Sequence, residues 1–316
     1  MSALVEKMAL IGQASWHGLE EVMPADASLE EWKRVAGLVH VVNKTPVIYM
    51  DEDDQPHKSE ERFVLYRNDT KRLLSVVGPN YKVVQPAQVL DFFASVIKEN
   101  NFTLETAGSL AGGKRVWALA RTNNSFTIGS SDVVKEYLLL ATSYDGTLAT
   151  IGKQTSVRVV CNNTLQMCAD NTEPVVRVTH ANTFDESKMK IDLGLMTDAW
   201  GKFKEAAGLM HRITLTPTQA ARWYAELLAE RELTDEEVVT ASADNRVLRE
   251  LMQVYQGGKG SEPTLWGVIN GVTAMADHTR GRSADTRLNS AWFGQGATLK
   301  ARAWEKAMQR VELVQV

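Results

Sequence analysis

The sequence predicts an α+β protein, with an antiparallel sheet of hairpins and packed helices in its first half and a mostly helical second half. Three observations predict this. Between residues 61 and 180, short β-branched or aromatic runs alternate with turn residues. After about residue 185, apolar positions recur at helical spacing. The stretch Gly257-Gly258-Lys259-Gly260-Ser261 is the clearest internal break of the second half. The expected organisation is an irregular and helical segment over 1–60, a strand-rich core over 61–185 and a helical region over 186–316.

In order along the chain, Ser28-Leu29-Glu30-Glu31 has capping-box spacing and predicts a helix that Ala36-Gly37 stops. Residues 39–49 have strand character, and Asp51-Glu52-Asp53-Asp54-Gln55-Pro56 reads as a charged turn. Runs at 63–66, 73–77 and 81–84 read as short strands. Pro86 suits a first helical position, and Val89, Leu90, Phe92, Phe93, Val96 and Ile97 keep helical spacing behind it. Residues 102–110 and 115–121 flank Ala111-Gly112-Gly113, which reads as a hairpin; 133–143 and 147–151 flank a second one at Tyr144-Asp145-Gly146. Residues 157–161 make one more strand, Asn162 or Asn163 caps a helix through Ala169, and 175–179 returns to the sheet. Helices are then expected over 187–209, 217–231, 234–255, 264–278 and 296–313.

Composition narrows the function classes. An apolar share of 44% with 23% charged residues is that of an ordinary soluble globular chain. No stretch reaches the roughly 18 to 20 uncharged apolar residues that span a bilayer, and the first residues lack a secretory pattern. Cys161 and Cys168 have no nearby histidine, so neither a disulfide framework nor a metal cluster is expected, and a reducing cytoplasm is the expected compartment. The net charge of −4 is unevenly spread: residues 1–60 carry 5 basic and 11 acidic side chains, and 61–180 carry 13 and 10.

Enzyme motifs fall short. Gly108 to Gly113-Lys114 has phosphate-loop spacing, but Arg115 stands where a magnesium-ligating hydroxyl is needed and a strand follows instead of a helix. A hairpin turn explains those glycines better. His17 beside Trp16 reads as a packed anchor or as a ligand, and Asp277-His278 as a helix-terminal cluster or as an oriented base. No catalytic, cofactor-binding or metal site is assigned.

The strand region holds the more coherent set. Alternation places Arg115, Trp117, Leu119 and Arg121 on one strand face, with Lys114 at the turn. Such a face can meet phosphates through its guanidiniums and stack a base on the indole; equally, Trp117 can be core and both arginines edge charges. Lys153 and Arg158 lead into Asn162-Asn163, whose expected place at a helix start would favour a phosphate. These eight residues, Lys114, Arg115, Trp117, Arg121, Lys153, Arg158, Asn162 and Asn163, are the candidate DNA-binding set.

The strings Tyr144-Asp145-Gly146 and Arg158-Val-Val-Cys-Asn-Asn-Thr-Leu165 resemble a family of phage/plasmid-like proteins built on a domain of unknown function. Trp16-His17-Gly18-Leu19, residues 76–84, Gly112-Gly113-Lys114, Trp266 to Thr273, Asp277-His278, Trp292-Phe293-Gly294 and Leu299 to Ala303 fit the same pattern, while Gly271 stands where alanine is usual. The order of strands and hairpins followed by a helix at 163–169 also looks similar to the core of single-strand annealing proteins such as RecT and Redβ. The resemblance implies a bacterial host cytoplasm and single-stranded DNA as partner. It also implies self-association into a ring or filament, and a single-strand-binding protein or exonuclease as further partners. The alternative is a protein–protein adaptor or host-defence antagonist without DNA binding.

Overall fold

The computed structural model describes all residues except 1–4, 12–20, 25, 101, 131, 159–162, 167–174, 195–197, 258–261, 280–283 and 316. The strands are β1 Val5–Ile11, β2 Glu21–Met23, β3 Val42–Met50, β4 Pro56–Arg67, β5 Leu73–Val77, β6 Thr103–Leu110, β7 Arg115–Ile128, β8 Asp132–Ser143, β9 Thr150–Arg158, β10 Asn163–Gln166 and β11 Val175–Val178. The helices are α1 Leu29–Val35, α2 Pro86–Asn100, α3 Glu186–Gly194, α4 Asp198–Arg212, α5 Pro217–Ala229, α6 Asp235–Asp244, α7 Arg246–Gly257, α8 Leu265–Ala274, α9 Ala284–Phe293 and α10 Gln295–Gln315. A π-helical turn, Met275–Thr279, follows α8. The mixed α/β composition with mainly antiparallel pairing agrees with the expected fold class.

Two compact units interleave along the chain. The first comprises Met1–Asn123, Tyr137–Gln154 and Val175–Met196; the second comprises Asn124–Glu136, Thr155–Pro174 and Thr197–Val316. The expected boundary at residue 60 falls inside β4, and β7, β8 and β9 each contribute to both units.

In the first unit the strand order runs β9-β8-β7-β6-β1-β2, and β11 also pairs with β9. Residues Arg115 to Arg121 pair antiparallel with Thr103 to Leu110. One face of this sheet (Ala107, Val116, Ala118, Ala120, Leu138 and Leu140) packs in a core that also holds Trp32 of α1 and Leu90, Phe92 and Phe93 of α2. A second sheet, β3-β4-β5, sends Val42, Leu65, Leu74 and Val77 into that core. Strand β1 escaped the sequence reading because Met8, Ala9 and Leu10 are buried in succession, which leaves no alternation to detect.

Three expectations need correction. Residues 81–84 form no strand: Lys44 Nζ donates to the carbonyls of Pro79 (2.5 Å) and Tyr81 (3.2 Å), and the Tyr81 ring stacks on His180 at 4.4 Å. Backbone groups bound to a side chain are not offered to a ladder. Asn163 starts β10, not a helix, pairing with Arg158 of β9; the rest of the expected helix lies outside the described residues. The helix expected over 234–255 is two, because Asn245 is extended (φ −85°, ψ 107°) and its Oδ1 accepts from the amides of Val247 and Leu248. That side chain caps the new helix at the point where the old one stops.

The second unit is built on helices around aromatic rings. Phe203 of α4 lies 5.0 Å from Trp304 of α10, 5.7 Å from Phe126 of β7 and 6.5 Å from Trp266 of α8, centroid to centroid. Thr216 and Thr234 start α5 and α6 with full capping boxes, to Gln219 and Glu237 respectively. Helix α9 was not expected from sequence. Since Phe203 is fully buried among four other rings, Trp200 of α4 included, Phe203→Ala should destabilise the protein by about 3–5 kcal/mol. Urea denaturation followed by tryptophan fluorescence checks this; a loss within ~1 kcal/mol would mean the ring cluster is not a packed core.

Candidate nucleic-acid interface

The turn between β6 and β7 runs through Ala111, Gly112 and Gly113, with φ of +53°, +70° and +87°. Left-handed backbone explains part of the glycine requirement. The rest comes from what lies on it. A Cβ at Gly112 would collide with the Arg72 guanidinium, and one at Gly113 would come within 2.9 Å of Arg67 Nη1 and 3.3 Å of His40 Nε2. Two arginines from the end of the β4–β5 hairpin are thus laid across the glycines of the β6–β7 hairpin.

Arg67 is buried and binds Asp69 through two parallel bonds, Nε to Oδ1 at 2.9 Å and Nη2 to Oδ2 at 2.7 Å. Those bonds from Arg67 hold the Asp69 carboxyl far below the usual carboxylate range, with the Thr70 amide helping. Arg67 is therefore neutralised and serves as structure. Arg72 is exposed and Lys114 half-buried, and among the described residues neither has a carboxylate within salt-bridge distance. Lys71, also exposed, donates to the Asn68 carbonyl at 2.8 Å. Arg115 Nη2 donates to Thr147 Oγ1 at 2.7 Å, and that hydroxyl donates to Asp145 Oδ1 at 2.5 Å. Burial works against the Arg115 charge and Asp145 opposes the loss.

The sequence-derived set divides accordingly. Lys114 and Arg115 stand at the turn with Arg67, Lys71 and Arg72, which the sequence reading missed. Arg115, Trp117, Leu119 and Arg121 do alternate with the core face, but Trp117 is 1% exposed, so its indole offers no surface to a base in this conformation. Arg121 lies 3.8 Å from Glu105. Lys153 is buried in β9 opposite Val175 of β11. Arg158 and Asn163 pair across β9 and β10 at backbone level; Asn162 and His17 lie outside the described residues. The missed signal was local: Arg67-Asn68-Asp69-Thr70-Lys71-Arg72 puts three bases around one turn.

Other conserved-looking strings prove to be packing devices. Tyr144 Oη donates to the Val84 carbonyl at 2.9 Å, and Tyr81 Oη to that of Ser143 at 2.8 Å. In the second unit, Trp266 Nε1 donates to Asp132 at 2.8 Å, and a Cβ at Gly271 would collide with the Tyr224 hydroxyl, which accounts for glycine where alanine was expected. Asp277, in the π-helical turn, accepts from Lys300 Nζ at 2.8 Å, with the two side chains 2% and 1% exposed. The carboxylate thus takes part in a buried ion pair with Lys300. Among the described residues, no group of three His, Cys, Asp or Glu could hold a metal ion, and no helix is long and apolar enough to cross a membrane.

Residues 73–292 match the model of the domain of unknown function DUF932. The chain belongs to this family. No curated protein and no solved structure matches it. The DUF932 span contains the glycine turn, Tyr144, Trp266 and Asp277, whereas His40, Arg67, Lys71 and Arg72 precede it and Lys300 follows it. Both the turn cluster and the buried pair therefore join a residue inside the DUF932 span to partners outside it.

The buried pair makes a direct stability prediction. Lys300→Met removes the ammonium bonded to the buried Asp277 carboxylate and should cost about 3–5 kcal/mol, while Lys300→Met with Asp277→Leu should be markedly less harmful than Lys300→Met alone. Denaturant titration of both variants measures the coupling. Additive losses would show that the two charges do not neutralise each other.

Proposed function

We propose that this chain is a single-stranded DNA-binding and annealing protein of phage or plasmid origin, acting in recombination as an oligomeric ring or filament. The observation that carries the reading is that Arg72, next to Lys71 in the chain, lies across a glycine turn followed directly by Lys114 and Arg115, beside an Arg67–Asp69 pair that is already neutral. Cations on a hairpin end can meet backbone phosphates and read no base edge, so binding is indifferent to sequence. The family likeness to proteins of mobile elements supports the same reading. No bound cofactor is required, since annealing pairs strands without making or breaking a covalent bond.

The test is fluorescence anisotropy of a labelled single-stranded oligonucleotide across a salt series. Affinity should fall steeply with salt, and Arg72→Ala and Lys114→Ala should each weaken binding to all sequences alike. Each should also reduce the slope of log K against log salt by about 0.7, one released counterion on a single strand. Absence of binding at low salt, or unchanged slopes in both variants, would overturn the assignment.

A further inference from the structure

We propose that the acidic tip of the β3–β4 hairpin docks head to tail onto the basic glycine-turn cluster of a second copy of this chain. The inference rests on reading that cluster as an anion site, though not on the anion being DNA.

The β3–β4 ladder runs past the β5-paired region as a two-stranded extension. After Pro46 pairs with Phe63 the register shifts, and Ile48, Tyr49 and Met50 then pair with Lys58, His57 and Pro56. Ile48, Tyr49 and Met50 are 61%, 55% and 56% exposed. Strand alternation puts Ile48 and Met50 on one face of this ribbon and Tyr49 on the other, where its ring stacks on His57 at 5.6 Å. At the turn, Asp51 is committed to the fold: it accepts from the Gln55 and Asp53 amides and binds His57 at 2.6 Å. Glu52, Asp53 and Asp54 are exposed, and among the described residues no cation reaches their carboxylates. Residues 47–62 carry six carboxylates against Lys58 and Arg62.

The basic cluster has the opposite sign and stands at the opposite end of the same ribbon. Pro56 begins β4 at the tip, and Arg67 ends it beside Lys71 and Arg72. At about 3.3 Å per residue the two ends are roughly 35 Å apart, so the tip cannot reach the cluster of its own chain. Acidic and basic ends on one rigid ribbon can neutralise each other only between copies. Such a contact joins two different surfaces, so it propagates into a ring or a filament rather than closing as a symmetric dimer. A DNA strand would compete with the tip for Arg72 and Lys114, so this contact belongs to the DNA-free protein and is separate from the ring or filament that acts on DNA.

Light scattering on the full chain tests the proposal by charge exchange. Glu52→Lys with Asp53→Lys and Asp54→Lys takes residues 47–62 from a net −4 to +2, so both ends become basic, and Lys71→Glu with Arg72→Glu and Lys114→Glu makes both ends acidic. Each variant alone should run as single chains where the wild type assembles, and an equal mixture of the two should assemble again. The milder Glu52→Gln with Asp53→Asn should weaken assembly without perturbing the exposed turn. A wild type that stays monomeric, tip-reversed chains that still assemble, or a mixture that does not, would each overturn the proposal. The tip-reversed variant keeps its cluster and should bind a single-stranded oligonucleotide at least as tightly as wild type. If charge exchange succeeds and no variant binds the oligonucleotide, the docking stands and the DNA assignment falls.

Discussion

Two guanidiniums lying across two left-handed glycines join the two sheets of the first unit. Arg67 and Arg72 come from the end of the β4–β5 hairpin, and Gly112 and Gly113 from the turn of the β6–β7 hairpin. Without a Cβ the turn can accept both side chains against its backbone; any other residue would push one of them away. The Arg67–Asp69 pair then fixes the first arginine and leaves Arg72, Lys114 and Lys71 facing outward. Local backbone chemistry thereby becomes a concentration of positive charge in a chain whose net charge is −4.

The second unit solves a different problem. Its core is dense with rings, and it also encloses the carboxylate of Asp277 and the ammonium of Lys300. Desolvating two charges opposes folding, and their mutual bond offsets that penalty only while both are present. The π-helical turn that carries Asp277 places the carboxylate one turn beyond α8, where α10 presents the lysine. Irregular helix geometry of this kind often has a specific task, and here the task is to complete the pair.

Much of the fold was legible from sequence where local chemistry and tertiary context agree. The capping box at Ser28 and the glycine hairpin form as the spacing implies. Reading failed where tertiary partners decide. Asn163 has good capping chemistry, yet pairing with β9 makes it a strand residue. Trp117 lies on the same strand face as Arg115 and Arg121, but face membership does not reveal whether that face is covered, and the indole is buried. The family strings marked the glycine turn correctly and gave no hint of Arg67 and Arg72, because those arginines meet it only in space. Likewise Asp277 beside His278 read as a helix-terminal cluster or an oriented base, and nothing local pointed to Lys300, 23 residues away, as a partner.

The most direct test of the central claim is amide hydrogen exchange of the full chain with and without a single-stranded oligonucleotide. The account predicts slowed exchange in residues 67–72 and 111–115, the two segments that meet at the glycine turn. Slowing confined to α8 through α10, with the turn unchanged while the oligonucleotide is bound, would contradict it.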